Sequence, residues 1–275
     1  MKLIELNNQQ IIPQIGVGTW TLRGEEARRN VRLALEAGFR HIDTAQGYGN
    51  ETEVGQGIAD SGVSRQEVFL VTKVATNIMR EGNQAVRLSI DESLSRLKMD
   101  YIDLLLIHWP VKDCVKDTWQ VMEDYVRQGK VRSIGVSNFN RHHLDDLLAY
   151  AEIRPVVNQM EVHPLMTQEE NIAYNHRLGI QVEAWGPFGQ GDIDVVGQPL
   201  LQALAKKYGK TASQIVLRWI VQRGLITIPR AKPSHFAENL EIMSFSLSDG
   251  DMLAISGMNR NLRSNRLNDP ETFPW

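Results

Sequence analysis

The sequence predicts an α/β fold, one closed barrel of parallel strands with each strand followed by a helix. Three observations carry this. Short apolar segments rich in branched residues alternate, to the end of the chain, with longer segments whose apolar residues recur every three or four positions. Eight strand segments can be counted, and repeated strand-then-helix order implies parallel pairing. The strands are short and evenly spaced, and no Gly-x-Gly-x-x-Gly follows the first, which favours a closed (β/α)8 TIM barrel over an open doubly wound sheet. A chain of 275 residues suits one such barrel, and no Pro-, Gly- or Ser-rich linker divides it, so residues 1–275 are read as a single domain.

The opening Leu3–Pro13, with Asn7-Asn8 between apolar pairs, reads as a β-hairpin placed to plug the barrel floor. The strands are then expected at Gly16–Trp20, His41–Thr44, Val68–Val74, Ile102–His108, Ser133–Ser137, Val156–Val162, Ile180–Trp185 and Leu225–Pro229. Between them lie amphipathic helices. In Glu25–Ala37 the residues Ala27, Val31, Ala34 and Leu35 share one face and Gly38 stops the last turn; in Gly82–Lys98 the stripe is Val86, Ile90, Leu94 and Leu97. Thr167 with Glu170, and Thr211 with Gln214, have the spacing of capping boxes, which satisfy the orphan amides of a first helical turn.

Composition narrows the function classes. Thirty basic against thirty-three acidic residues leave a net charge of −3, so no long-range field draws nucleic acid or anionic lipid, and any anion site must be local. A single cysteine, Cys114, excludes an intramolecular disulfide and paired-thiolate metal sites, and suits a reducing compartment. The amides and Glu5 in Met1–Pro13 break up any signal-peptide core, and no run approaches the ~18 apolar residues of a membrane span. The expected setting is the cytoplasm, without membrane or nucleic-acid partners.

In a barrel of this kind reactive groups gather at the carboxyl ends of the strands. Asp43 ends the second strand, Tyr48 follows in its loop, Lys73 ends the third and His108 closes the fourth. A tyrosine hydroxyl, with an ordinary pKa of about 10, is a poor proton donor, but a nearby ammonium stabilises the phenolate and is expected to lower that value. Lys73 can supply the charge, Asp43 can hold Lys73, and His108 can donate to the oxygen of a bound carbonyl. Each residue alone has a plainer structural explanation; together, at consecutive strand ends, they suit carbonyl reduction, with hydride to carbon and a proton from Tyr48 to oxygen. A Schiff-base role for Lys73 in an aldolase stays open on residue type. A metal set of Asp43, His108 and His163 has no supporting ligand spacing, and no metal is expected.

The chain resembles the aldo-keto reductases, most of all the prokaryotic branch that includes the 2,5-diketo-D-gluconate reductases. Gly38-Phe39-Arg40-His41-Ile42-Asp43-Thr44-Ala45-Gln46-Gly47-Tyr48-Gly49-Asn50-Glu51 is similar to that family's first signature. Gly129-Lys130 followed by Ile134-Gly135-Val136-Ser137-Asn138-Phe139 is similar to its second, and the likeness runs along essentially the whole chain. The resemblance implies that Asp43, Tyr48, Lys73 and His108 form a catalytic tetrad. It also implies NADPH bound across the barrel mouth without a glycine fingerprint, a monomer, and extra C-terminal helices with a closing loop.

On the same resemblance Ser137, Asn138 and Gln159 would hold the nicotinamide carboxamide, with Trp185 stacked on the ring. Gly186, Pro187, Phe188, Gly189, Gln190 and Gly191 would run along the pyrophosphate, where small residues let backbone amides approach phosphate oxygens. The family more often has serine at Gly186. The adenosine-phosphate segment would be Arg230, Ala231, Lys232, His235, Glu238 and Asn239. It departs from the family's I-P-K-S pattern: Arg230 replaces lysine, Ala231 replaces serine, and His235 falls where an arginine is expected. Arg230 can still hold a phosphate in a bidentate contact, so NADPH is expected, with NADH as the alternative. Trp20, Tyr48, Trp109 and the C-terminal Arg263–Trp275 would line the pocket for a small-molecule carbonyl. Ala75 stands where relatives commonly carry tryptophan, implying a wider pocket and broad specificity. The resemblance extends to nicotinamide-binding regulatory subunits on the same barrel, which keep the tetrad.

Overall fold

The structure, a computed structural model, describes residues 2–273; Met1, and the Pro274 and Trp275 of the expected closing segment, lie outside the described residues. The hairpin is β1 (Leu3–Glu5) and β2 (Ile11–Pro13), paired antiparallel. The barrel strands are β3 (Val17–Gly18), β4 (His41–Asp43), β5 (Phe69–Val74), β6 (Ile102–Ile107), β7 (Val131–Ser137), β8 (Val157–Glu161), β9 (Gln181–Trp185) and β10 (Ile226–Thr227). They form one eight-stranded sheet in sequence order, every neighbouring pair parallel. The two ends of the sheet meet: Ile15 bridges Thr227, Gly16 N–H donates to the Thr227 carbonyl at 2.9 Å and Thr227 N–H to the Gln14 carbonyl at 3.0 Å. Gly16 is needed at this seam, because a Cβ there would lie 2.7 Å from the His41 ring.

Helices α1 (Gly24–Glu36), α2 (Glu51–Asp60), α3 (Thr76–Arg80), α4 (Asn83–Leu97), α5 (Val115–Arg127), α6 (Arg141–Leu148) and α7 (Glu169–Arg177) connect successive strands. Between β9 and β10 run α8 (Pro199–Tyr208) and α9 (Ala212–Gln222), and after β10 come α10 (Phe236–Leu240) and α11 (Asp249–Ser256). The Thr211–Gln214 box caps α9 as expected, each side chain meeting the other's backbone N–H. The Thr167–Glu170 box does not form. Gln168, in the left-handed region at φ 57°, precedes α7, and the backbone of Thr167 is engaged by Asn259 and Arg223 instead, leaving its hydroxyl buried without a partner.

Two-residue alternation along the strands builds the site. In β5 and β6 the residues Leu70, Val74, Leu105 and Ile107 pack outward under the helices. Phe69, Val71, Leu104 and Leu106 point inward and join Leu6, Ile12, Val157 and Ile226 in an apolar floor. The hairpin seals that floor: Asn7 donates to the Pro155 and Gly179 carbonyls at 3.0 and 3.1 Å, and Asn8 to the Ser133 hydroxyl at 2.9 Å. Two residues further along the same inward face the sequence switches to polar groups in β5 and β8, Lys73 after Val71 and Gln159 after Val157, while in β4 Asp43 follows the already polar His41. The fold therefore buries its chemistry just below the mouth.

Candidate active site

Lys73 is completely buried and yet charged. Burial alone would lower its pKa, but Asp43, then Tyr48, outweigh that and raise it. Its Nζ donates to both Asp43 carboxylate oxygens at 2.7 Å, to the Thr44 carbonyl at 2.9 Å and to the Tyr48 hydroxyl at 3.4 Å. A buried ammonium of this kind persists only when its hydrogens are all engaged. His108 meets Tyr48 edge to face, ring centroids 5.6 Å apart. Burial first, and Lys73 second, push the His108 imidazole down to about 3, so it is neutral across the physiological range and carries a single N–H. The strand-end residues Asp43, Lys73 and His108 thus converge with Tyr48 of the loop after β4.

The Tyr48 hydroxyl moves against the sequence-based expectation. Burial raises its pKa more than Lys73 lowers it, so the net direction is upward. The phenol keeps its proton at neutral pH, and the ammonium acts on the phenolate only once the proton leaves.

Above these groups opens a cavity of about 550 Å³, lined at its inner end by Tyr48, His108, Ser137, Asn138, Gln159 and Trp185, and on its outer walls by Trp20, Ala75, Trp109 and Phe273. Trp109 and Phe273 stack with centroids 3.9 Å apart, bringing the C-terminal segment over the mouth. That segment is tied down at Ser264, whose N–H donates to Glu161 Oε1 at 2.7 Å, and at Asn268, which reaches Gln190 at 3.4 Å. Asn138, left-handed at φ 64°, donates to the His108 carbonyl and the Ser137 hydroxyl and accepts from Trp185 Nε1 at 2.9 Å. Gly186, Pro187, Phe188, Gln190 and Gly191 line the cavity, but Gly189 is not among its walls. Its role is in the turn: at φ 75° a Cβ would lie 2.7 Å from the Ile193 carbonyl oxygen.

A second cavity of about 780 Å³ adjoins the first, since Phe188 and Arg230 line both. Ala231, Lys232, His235, Glu238 and Asn239 lie around it together with Arg29 and Glu26. Arg230 donates to the Thr21 hydroxyl, while His235 faces Glu238 at 3.3 Å. The pair forms one trough running from the Tyr48 hydroxyl to a cation-rich end, a shape suited to an extended anionic dinucleotide.

His163 does not join Asp43 and His108; it is committed to Glu161 at 3.1 Å. The described residues bring one other trio of candidate ligands together, His142 and His143 in the first turn of α6 and Glu271 in the C-terminal segment, with donor atoms within 4.8 Å of one another. His143 Nδ1 there already accepts the Asn140 N–H at 3.1 Å. Sequence reading missed the buried ionisable residues His41, Glu161 and Glu183. Their signal was a charge or imidazole within an otherwise apolar buried strand: His41 opens β4, Glu183 lies in the middle of β9 and Glu161 closes β8.

A model of the aldo/keto reductase family matches residues 14–260. The glyoxal reductase of Bacillus subtilis is 44% identical over 262 residues, 94% of this chain and 94% of that protein. The methylglyoxal reductase DkgA of Escherichia coli is 39% identical, covering 98% of each. The crystal structure of the Bombyx mori aldo-keto reductase in complex with NADP superposes with a TM-score of 0.91 at 39% identity, covering 99% of this chain and 97% of that one. With the eight-stranded barrel and these matches together, the chain belongs to the aldo/keto reductase family of oxidoreductases.

Proposed function

We propose that this protein is an NADPH-dependent carbonyl reductase that converts small aldehydes and ketones to alcohols, with Tyr48 as the proton donor. The observation that carries the reading is the Asp43–Lys73–Tyr48 chain, ending on a hydroxyl that faces an aromatic-lined cavity. The reduced dinucleotide, when bound, supplies hydride to the carbonyl carbon. Tyr48 gives its proton to the carbonyl oxygen as negative charge builds there; Lys73, 3.4 Å away, then faces a phenolate and stabilises it. Asp43 keeps Lys73 charged and in place. His108, neutral, offers its N–H to the same oxygen and orients the substrate. Ser137, Asn138 and Gln159 hold the carboxamide, Trp185 walls the ring, the 186–191 loop follows the pyrophosphate and Arg230 with Lys232 meets the adenosine phosphate.

The residues fit this cofactor by shape and charge: one trough, aromatic and amide-lined at the inner end, cationic at the outer. The relatives named for glyoxal and methylglyoxal reduction support small dicarbonyls as substrates. The aldolase reading is disfavoured because all of the Lys73 ammonium hydrogens are engaged and burial leaves no approach for a carbonyl carbon. The reading places the enzyme as a cytoplasmic monomer; no helix among the described residues is long and apolar enough to cross a membrane. Fluorescence titration with NADPH and NADH, followed by turnover on methylglyoxal, tests the assignment. Tight NADPH binding with reduction is expected; failure to bind either dinucleotide refutes it.

A further inference from the structure

Beneath the mouth, a line of buried polar groups runs from the hairpin to Gln159. The His41 Nδ1 lies 3.2 Å from the Pro13 carbonyl oxygen. A carbonyl only accepts, so Nδ1 carries the imidazole proton and Nε2 is a bare lone pair. Burial supports this neutral tautomer by pushing His41 down to about 4. Nε2 faces Glu183 Oε1 at 3.2 Å, with both side chains at zero exposure. Were Glu183 a carboxylate, two acceptors would face each other in a dry site; as heavy atoms stand, neither finds a donor. A proton on Glu183 Oε1 satisfies both at once. The other oxygen, Oε2, accepts from Gln159 Nε2 at 2.7 Å, and the same nitrogen donates to Asp43 Oδ2 at 2.9 Å. The β8–β9 register sets this contact, Gln159 opposite Glu183. Charged and titratable neighbours of Glu183 are Asp43 and His41 on β4, Lys73 on β5 and Tyr48 in the loop.

We propose that Glu183 is a positioning residue for the reductase reaction: held as a neutral acid between His41 and Gln159, it fixes the Gln159 amide with both N–H groups inward and its carbonyl toward the mouth. A primary amide has two N–H groups, and both are taken, by Glu183 and Asp43. The remaining amide oxygen is then the part that meets a ligand, and it can only accept, as it would from the N–H of a carboxamide. This inference rests on the reading that Gln159 holds the nicotinamide carboxamide. Losing Glu183 leaves one buried amide N–H unpartnered and lets the side chain turn.

The test compares binding of NADPH with that of its reduced 3-acetylpyridine analogue, whose methyl ketone replaces the carboxamide and has no N–H to give. Wild type is expected to prefer NADPH by about three- to tenfold, the worth of one such bond. Glu183→Gln, which can donate to His41 and accept from Gln159 as the neutral acid does, retains that preference. Glu183→Leu loses it, binding the two forms within about twofold. A role limited to packing would weaken both dinucleotides equally and leave the ratio unchanged, and that result overturns the proposal. A wild-type protein that binds neither form overturns the cofactor reading and this inference with it. Should Glu183→Leu fail to fold, infrared difference spectra of wild type against Glu183→Gln at neutral pH decide. A protonated-carboxyl C=O band present only in wild type is expected, and its absence refutes the neutral acid.

Discussion

Replacing Glu183 by glutamine should flatten the alkaline limb of the protein's stability curve. Burial first, then Asp43, raise the Glu183 carboxyl from its ordinary 4.5 to about 8. A carboxyl whose folded value is raised contributes stability that is fully present below its unfolded value and is lost as pH climbs through the folded one. At about 1.4 kcal/mol per pH unit the whole interval is worth about 5 kcal/mol, of which about 4 falls between about pH 5 and pH 9. Glutamine has no proton to lose and keeps both hydrogen bonds. His41 and His108, held low by burial, act in the opposite sense: they bind protons on unfolding, so they cost stability as pH falls below about 6.5. They are common to both proteins and cancel in the comparison. Urea unfolding at a series of pH values should show the Glu183→Gln protein gaining on wild type by several kcal/mol from about pH 5 to pH 9. Parallel curves would mean that Glu183 is ionised in the folded state, and would refute the proton placed between it and His41.

Arg230 lies where the two cavities meet, so Arg230→Ala should weaken NADPH by about tenfold or more while changing NADH little, as read by fluorescence titration. Equal losses would remove Arg230 from the adenosine phosphate. Ala75 lines the substrate side of the mouth, and Ala75→Trp should leave kcat/KM for methylglyoxal within about threefold while cutting that for aryl ketones by about tenfold or more. A uniform loss across a panel of carbonyls would place the substrate elsewhere.

Much of this was legible because the barrel's period is simple. All eight strands lie inside or within two residues of their expected ranges, and Asp43, Lys73 and His108 fall at the ends of apolar runs as the barrel rule requires. The first and last strands are shorter than expected, Val17–Gly18 and Ile226–Thr227, because the seam between them closes through isolated bonds around Ile15 and Thr227. What the sequence withheld was decided by long-range packing. The Thr167 cap lost to contacts from Asn259 and Arg223, residues 92 and 56 positions away. The turn at Gly189, held at φ 75° close against Ile193, is set by the folded loop and not by any local pattern. The rise of the Tyr48 pKa depends on how deeply the phenol is buried, which no local pattern encodes. Glu183 and His41 become visible only when inward alternation is followed down each strand and matched across the sheet by register.

The sharpest single test is single-turnover reduction of methylglyoxal by Tyr48→Phe loaded with NADPH, with dinucleotide affinity measured on the same preparation. The rate should fall by about 10²- to 10⁴-fold, with the NADPH dissociation constant changed less than about threefold. Turnover close to wild type would take the proton donor away from Tyr48, and the chain from Asp43 through Lys73 would lose its purpose.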